Sequence, residues 1–161
     1  MPASLIRLLA EAKRLARHYY QLTGRPLGIT GEIAECEAIR LLRLRPAPVR
    51  QPGYDAVGRG GERLQIKGRV IVGQLKGGAR LGAIKLKHPW DAVLLVLLDA
   101  NFAATAIYRA ERPDLRLALT RPGSRARIER GQLSISKFKA IGRRVWPRAR
   151  ATAAPKRARG A

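Results

Sequence analysis

The sequence predicts one α/β domain in which a mixed central sheet is flanked by helices. Two amphipathic helices come first, at residues 3–22 and from Thr30 to a point before Pro46. The apolar run AVLLVLL at residues 92–98 is typical of a central strand, because both of its faces must be buried. Helical and strand patterns combined in this way favour a layered α/β structure. We therefore expect a single domain over residues 1–146.

The first helix is predicted from an apolar face that recurs with the helical period. The residues of that face are Leu5, Leu8, Leu9, Ala12, Leu15, Ala16 and Tyr19. Cations within the first twenty residues interrupt the apolar core that a signal peptide needs. No apolar run approaches the ~20 residues of a transmembrane helix. A transit peptide or a membrane-surface helix stays open for this segment, but we expect the helix to pack on the domain. We predict neither secretion nor a membrane span.

Thr30 is the expected N-cap of the second helix. A β-hairpin is expected after this helix. One strand at residues 54–57 precedes the glycine-rich turn at 58–61, and a second strand at 62–72 follows it. Three prolines within residues 45–53 predict a connector between helix and hairpin.

The later elements follow from shorter patterns. They are a glycine-rich loop at 73–82, strands at 83–87, 92–98 and 105–109, and a last helix at 137–146 with Ser136 as its cap. The periodicity of residues 110–133 is too weak to assign an element. The low-complexity, basic composition of residues 147–161 predicts a disordered tail.

The charge balance indicates a polyanionic partner. The 161 residues include 33 Lys and Arg against 11 Asp and Glu, a formal net charge of +22. A field of this size attracts nucleic acid by steering and by counterion release. We expect DNA rather than RNA as the partner and no membrane association, and a homodimer stays open. The single cysteine, Cys36, allows no intramolecular disulfide and favours a reducing, cytoplasmic compartment.

The second strand of the hairpin carries three polar side chains on one face. Side chains two residues apart along a strand point the same way, so Gln65, Lys67 and Arg69 share a face. Asp55 lies on the partner strand, and a hairpin of this size can bring its carboxylate toward Gln65. A carboxylate, an amide oxygen and a lysine then converge.

Acids on the second helix can complete this site. Glu32 and Glu35 are three residues apart and are therefore neighbours on one helical face. Glu37 points elsewhere, and for both Glu35 and Glu37 the role of an ordinary surface charge stays open. Either Glu32 or Glu35 can approach the hairpin, and we rank Glu32 first.

These motifs resemble those of the PD-(D/E)xK nuclease superfamily. The order is G-x-x-G-E on a helix, Asp on a strand and acid-x-Lys on the next strand, which the sequence gives as GITGEIAECEAIRLL, GYDAV and ERLQIKGR. Glu32 matches the helix glutamate and Asp55 the strand aspartate. Gln65 stands at the acid of the pair, Lys67 matches its lysine, and Arg69 matches a basic residue often found two positions further on.

The resemblance covers residues 28–110 and implies a restriction-endonuclease-like fold with Mg²⁺- or Mn²⁺-dependent hydrolysis of DNA phosphodiester bonds. Asp55, Gln65 and Glu32 would ligate the metal, since Mg²⁺ prefers hard oxygen ligands. Lys67 would orient the attacking water or stabilise the developing negative charge. Gln65 is a neutral oxygen donor where most members carry a carboxylate, so metal affinity should fall unless Glu32 compensates.

Phosphate contacts are predicted for cations outside the metal site. These are Arg59, Arg69, Lys137, Arg143 and Arg144. Two other interpretations stay open. A noncatalytic nucleic-acid-binding module would keep the fold and use its arginines for phosphate contact, whereas a structural or assembly protein would owe its charge to coding bias alone.

Overall fold

The computed structural model describes residues 2–25, 27–73, 79–123 and 130–147. Within these ranges four helices and one six-stranded sheet form a mixed α/β fold, which confirms the predicted fold class. The elements in chain order are α1 (Ala3–Thr23), α2 (Thr30–Leu42), β1 (Arg45–Pro46), β2 (Ala56–Val57), β3 (Arg63–Val70), β4 (Ala92–Leu98), β5 (Ala104–Glu111), α3 (Arg112–Thr120), α4 (Ile135–Ile141) and β6 (Arg143–Trp146). Most of the predicted tail, 148–161, and residues 74–78 of the predicted glycine-rich loop lie outside the described residues.

The strands lie in the sheet in chain order, from β1 to β6. Strands β3 and β4 are parallel, and the other neighbouring pairs are antiparallel. All seven residues of β4 are buried, as its continuous apolar sequence predicts. One face of the sheet packs on α2, and the other packs on α3, α4 and the segment before β4.

Helix α2 lies directly on β3 because Gly68 has no side chain. A Cβ at this position would be 2.6 Å from the Cβ of Ala34 and 2.8 Å from the carbonyl oxygen of Thr30. Leu64 and Ile66 of β3 face α2 and are buried in the same cluster as Ala34. The alternating residues of β3, which include the polar set predicted from the sequence, therefore face the other way.

The strand expected at residues 83–87 is wrong, because this segment is irregular. The backbone nitrogens of Leu81 and Ile84 donate to carbonyl oxygens before α4, at 2.8 and 2.9 Å, and both side chains join the core. Arg112 donates to the carbonyl oxygen of Trp90 at 2.6 Å and lies over its indole ring. The apolar residues alternate because they pack against the sheet, and the segment is not itself a strand of the sheet.

The last helix is shorter than expected. It ends at Ile141, and its cap is Ser134 rather than Ser136, since the Ser134 hydroxyl accepts from the backbone nitrogen of Lys137 at 3.2 Å. The residues that follow form β6, which pairs with β5. The N-cap expected at Thr30 is also wrong, because Thr30 is the first helical residue and the preceding Ile29 makes no side-chain cap.

Two regions for which the sequence predicted neither a helix nor a strand form short elements through tertiary contacts. Part of the expected connector, Arg45–Pro46, pairs as a short edge strand with β2, a position that a proline tolerates. Residues 112–120, which showed weak periodicity, form α3 with Pro113 in its first turn. In the described part of the chain, no helix is long and apolar enough to cross a membrane.

Candidate active site

Asp55 immediately precedes β2 and lies beside β3, at the point where β3 continues beyond its pairing with β2. Its backbone nitrogen donates to the carbonyl oxygen of Leu64 at 2.9 Å, and its Oδ2 accepts from the backbone nitrogen of Ile66 at 2.6 Å. The carboxylate thus replaces a missing strand neighbour and cannot rotate away without exposing that N–H. The other carboxylate oxygen has no hydrogen-bond partner among the described residues, so it is available to a ligand.

Glu35 comes from α2 to the same place. It lines, with Asp55, a groove of about 700 Å³ whose far wall is the proline-rich segment 46–51. Burial, together with the negative charges of Asp55 and Glu32, raises the pKa of Glu35 to about 7 against the opposing effect of Lys67. A carboxyl group with this pKa is close to half ionised at neutral pH, which suits either metal binding or proton transfer.

Lys67 is the cation of the cluster. Burial lowers the pKa of Lys67, while the charges of Asp55 and Glu35 counteract the shift and Lys85 adds to it. Its side chain runs beneath the segment that follows β3, since a Cβ on Gly82 would lie 4.0 Å from its Cδ. The ammonium group is therefore partly dehydrated and lies within the field of two carboxylates.

Gln65 brings an oxygen with no partner. The residue is 8% exposed, and its Oε1 has no hydrogen bond in the described part of the chain. A buried acceptor without a donor is uncommon in a folded protein. By strand alternation Gln65 shares a face with Lys67.

Glu32 lies one turn before Glu35 on α2 and is exposed. Its charge acts on Glu35, but it is not among the charges that shift the pKa of Lys67. Of the two helix acids weighed from the sequence, Glu35 thus has the stronger electrostatic link to the hairpin. The i to i+3 spacing predicts that both acids lie on one helical face. It does not predict that Glu35 is partly buried while Glu32 is exposed.

The donor set fits a hard divalent cation. Among the described residues, no three His, Cys, Asp or Glu side chains are grouped so that they could hold a metal ion by themselves. Mg²⁺, however, commonly binds through one or two carboxylates and keeps several waters. Asp55 and Glu35 line one groove and supply two such carboxylates, and Gln65, on the same face of β3 as Lys67, carries an unpartnered oxygen of the same kind.

The cations predicted for phosphate contact are spread over three places. Arg69 lines a cavity of about 380 Å³ near the start of α2, beyond Lys67 on β3. Arg59, Arg143 and Arg144 line another cavity of about 450 Å³ at the opposite end of β3. Lys137 lies apart from both, in the first turn of α4.

No family model matches the chain, and no curated protein matches it. The candidate site consists of two carboxylates whose charges act on a partly buried lysine, and Gln65 shares one face of β3 with that lysine.

One polar cluster was missed by sequence reasoning. Arg109 donates to Glu62 at 3.1 Å and to Glu111 at 2.7 Å, which ties the hairpin turn to β5. Glu62 and Arg109 are 47 residues apart in the chain. No local signal identifies such a pair, because only the strand order brings them together.

Proposed function

We propose that this protein is a metal-dependent nuclease that hydrolyses DNA phosphodiester bonds, with its active site at the edge of β3. The observation that carries the proposal is the grouping of Glu35, Asp55 and Lys67. This grouping depresses the pKa of the lysine by burial and raises the pKa of Glu35 to about 7. Carboxyl and amine groups that shift one another's pKa values in this way are typical of catalytic sites rather than of solvated surfaces.

Asp55, Glu35 and Gln65 would hold Mg²⁺ or Mn²⁺, and Glu32, one turn earlier on α2, would assist through its charge. The metal, when bound, neutralises nonbridging phosphate oxygens and makes water more acidic. The unpartnered Oε1 of Gln65 supports this assignment, because a cation or its hydration shell would satisfy it. Because only two of these ligands are carboxylates and Gln65 is neutral, we expect the affinity for the metal to be modest.

Lys67 would act on the phosphate. Its ammonium donates a hydrogen bond to the phosphate oxygen on which charge accumulates as the water oxygen bonds to phosphorus. The proton of that water passes to solvent, and the bond from phosphorus to the leaving oxygen breaks, with solvent protonating the leaving group. The cytoplasmic setting suggested by the single cysteine is compatible with a DNA substrate.

Cleavage of plasmid and linear DNA in the presence of Mg²⁺ or Mn²⁺ tests the proposal. We expect Lys67→Ala and Asp55→Asn each to slow cutting by about 100-fold or more, the usual scale for losing such groups. Both variants should keep DNA affinity within a factor of about 2, because the remaining cations still contact phosphate. Lys87→Ala is the matched control: Lys87 is exposed and lies outside the groove, so this variant should cut like the parent.

If Lys67→Ala and Asp55→Asn cut as fast as the parent protein, the proposed active site is wrong. If the parent never cuts but binds DNA with a linear dependence of log affinity on log salt, the noncatalytic binding module is the better assignment. One observation favours that second candidate: no three His, Cys, Asp or Glu side chains of the described chain are grouped to hold a metal. Absence of DNA affinity even at low salt would contradict both.

A further inference from the structure

An arginine-lined cavity lies at the end of the sheet opposite Arg69. It has a volume of about 450 Å³ and is bordered by the hairpin turn, the last turn of α2, β5 and β6. Leucines of α2, β3 and β4 form its floor. Its walls carry Arg59, Arg109, Arg143 and Arg144 with one acid, Glu62. We call this the arginine cavity.

Arg109 and Glu62 are the fixed part of the wall. Arg109 donates to both oxygens of Glu111, at 2.7 and 3.1 Å, and to Glu62 at 3.1 Å. Glu62 lies over the glycine turn, where a Cβ on Gly58 would come within 2.5 Å of its carboxyl carbon. These contacts neutralise Arg109 and make the glycine turn part of the wall.

The other three arginines have no such partner. Arg59, Arg143 and Arg144 are exposed, and none of them forms an ion pair with a carboxylate of the described residues. Arg143 pairs with Arg109 across β5 and β6, so their side chains share one face of the sheet, while the side chain of Arg144 starts from the other face of this edge strand. A guanidinium group donates in a planar fork that matches the oxygens of a phosphate.

The position of the arginine cavity relative to the candidate active site suggests which phosphate it takes. Leu44, the second residue after α2, lines both the arginine cavity and the groove that holds Glu35 and Asp55. A polynucleotide lying in that groove therefore has a neighbouring set of cations in reach for a further phosphate along its backbone. An isolated small anion would gain nothing from this continuity.

We infer that the arginine cavity is a phosphate-anchoring site for the backbone of a nucleic acid, separate from the site of hydrolysis. That the ligand is a nucleic acid rests on the proposed function, whereas the presence of the arginines around this cavity is independent of it. Arg59, Arg143 and Arg144 bind the phosphate, while Arg109 and Glu62 hold the turn that presents Arg59. The site contributes affinity and orientation, and it takes no part in bond cleavage.

The test is binding of a fluorescent DNA duplex to the full chain, followed by anisotropy at several salt concentrations in EDTA. The double variant Arg143→Gln, Arg144→Gln should weaken binding by about 10-fold or more and lower the salt slope by up to about 2, near 0.9 for each lost contact. The matched control, Arg7→Gln with Arg14→Gln, removes the same charge from α1, outside the cavity. It should change affinity by less than about 3-fold, the general effect of a lower net charge.

A second measurement separates backbone phosphate from free phosphate. If inorganic phosphate at millimolar concentration raises the melting temperature of the parent but not of the Arg143, Arg144 double variant, while both bind DNA equally, the cavity takes a small anion and our inference is overturned. Equal DNA binding by parent, control and double variant overturns it as well, and leaves the nuclease proposal intact. Normal DNA binding by Lys67→Ala without cutting, together with weak binding by the double variant, supports both.

Discussion

Glu35 and Glu37 lie two residues apart on α2, yet their surroundings differ in almost every respect. Glu37 is 8% exposed and accepts hydrogen bonds from Lys13 of α1 and from Arg40. Burial raises the pKa of Glu37, but the hydrogen bonds from these two cations outweigh burial and lower it. Glu35 has no ion pair in the described chain, and burial raises its pKa to about 7.

The difference shows what each charge does for the protein. Glu37 pairs with cations of α1 and α2 and stabilises the fold. Ionising Glu35, by contrast, is unfavourable because its carboxylate is partly buried and has no ion pair among the described residues. A charge kept at such a cost is more typical of function than of structure. Glu37 is buried and paired, so it is not an ordinary surface charge. Glu35, which the sequence analysis ranked after Glu32, is the helix acid that lines the groove with Asp55.

Gly68→Ala tests the close contact between α2 and β3, which brings α2 with Glu35 to the hairpin, and we expect it to have the largest effect. The added methyl group would meet the Cβ of Ala34 at 2.6 Å and push α2 away from β3. We expect a loss of about 2–3 kcal/mol in the free energy of unfolding, as for other overpacked cores. Chemical denaturation measures it.

Gly31→Ala is the control for this substitution, because a Cβ there meets nothing within 4 Å. Alanine is the better helix former, so this variant should be as stable as the parent or more stable. Equal stability of Gly68→Ala and the parent would mean that α2 does not pack on β3 this closely.

Glu37→Gln removes the pairing with Lys13 and Arg40 and should rank second. We expect a loss of about 1–2 kcal/mol at pH 7, since both partners are only partly buried. A carboxyl group whose pKa is lowered in the folded state stabilises the protein above its ordinary pKa and loses that effect as pH falls through the lowered value. The difference between variant and parent should therefore shrink on acidification below about 4.5, the ordinary pKa.

Glu11→Gln serves as the comparison, because Glu11 is exposed and unpaired in the described structure. It should change stability by less than about 0.5 kcal/mol. If Glu37→Gln behaved like Glu11→Gln, the contact between α1 and α2 would not depend on this ion pair.

Glu35→Gln should have the smallest effect on stability and the opposite sign. The folded-state pKa of Glu35 lies above its ordinary value of 4.5, so its favourable contribution is complete below pH 4.5 and is lost as pH rises through about 7. Because Gln does not ionise, the variant should be more stable than the parent at pH 8. The gain should be about 1 kcal/mol once solvent screening of a half-exposed group is allowed for.

At pH 4.5 the gain of Glu35→Gln should disappear, and at every pH this variant should cut DNA more slowly than the parent. A gain in stability combined with a loss of activity separates a catalytic carboxylate from a structural one. Destabilisation at pH 8 would remove Glu35 from the site, and Glu32 would then be the helix acid to test.

The fold was predictable where the signal was long or local. The first helix, the apolar strand β4 and the hairpin of β2 and β3 were found because their periodicity or their glycine turn is contained within one stretch of chain. The strand expected at 83–87 and the helix expected at 137–146 failed. The first failed because a short apolar alternation is also found in an irregular segment that packs on a core. The second failed because residues 143–146 form a strand only through their pairing with β5.

By itself, the sequence determined the fold class, the strong positive charge and the polar face of β3 that carries Gln65 and Lys67, because these follow from composition and the period of a strand. The tertiary structure decided which helix acid joins that face and which stabilises the contact between α1 and α2. It also brought Arg109 to Glu62 and three unpaired arginines to one cavity. Burial and the order of strands in a sheet are properties of the folded chain, so no local pattern encodes them.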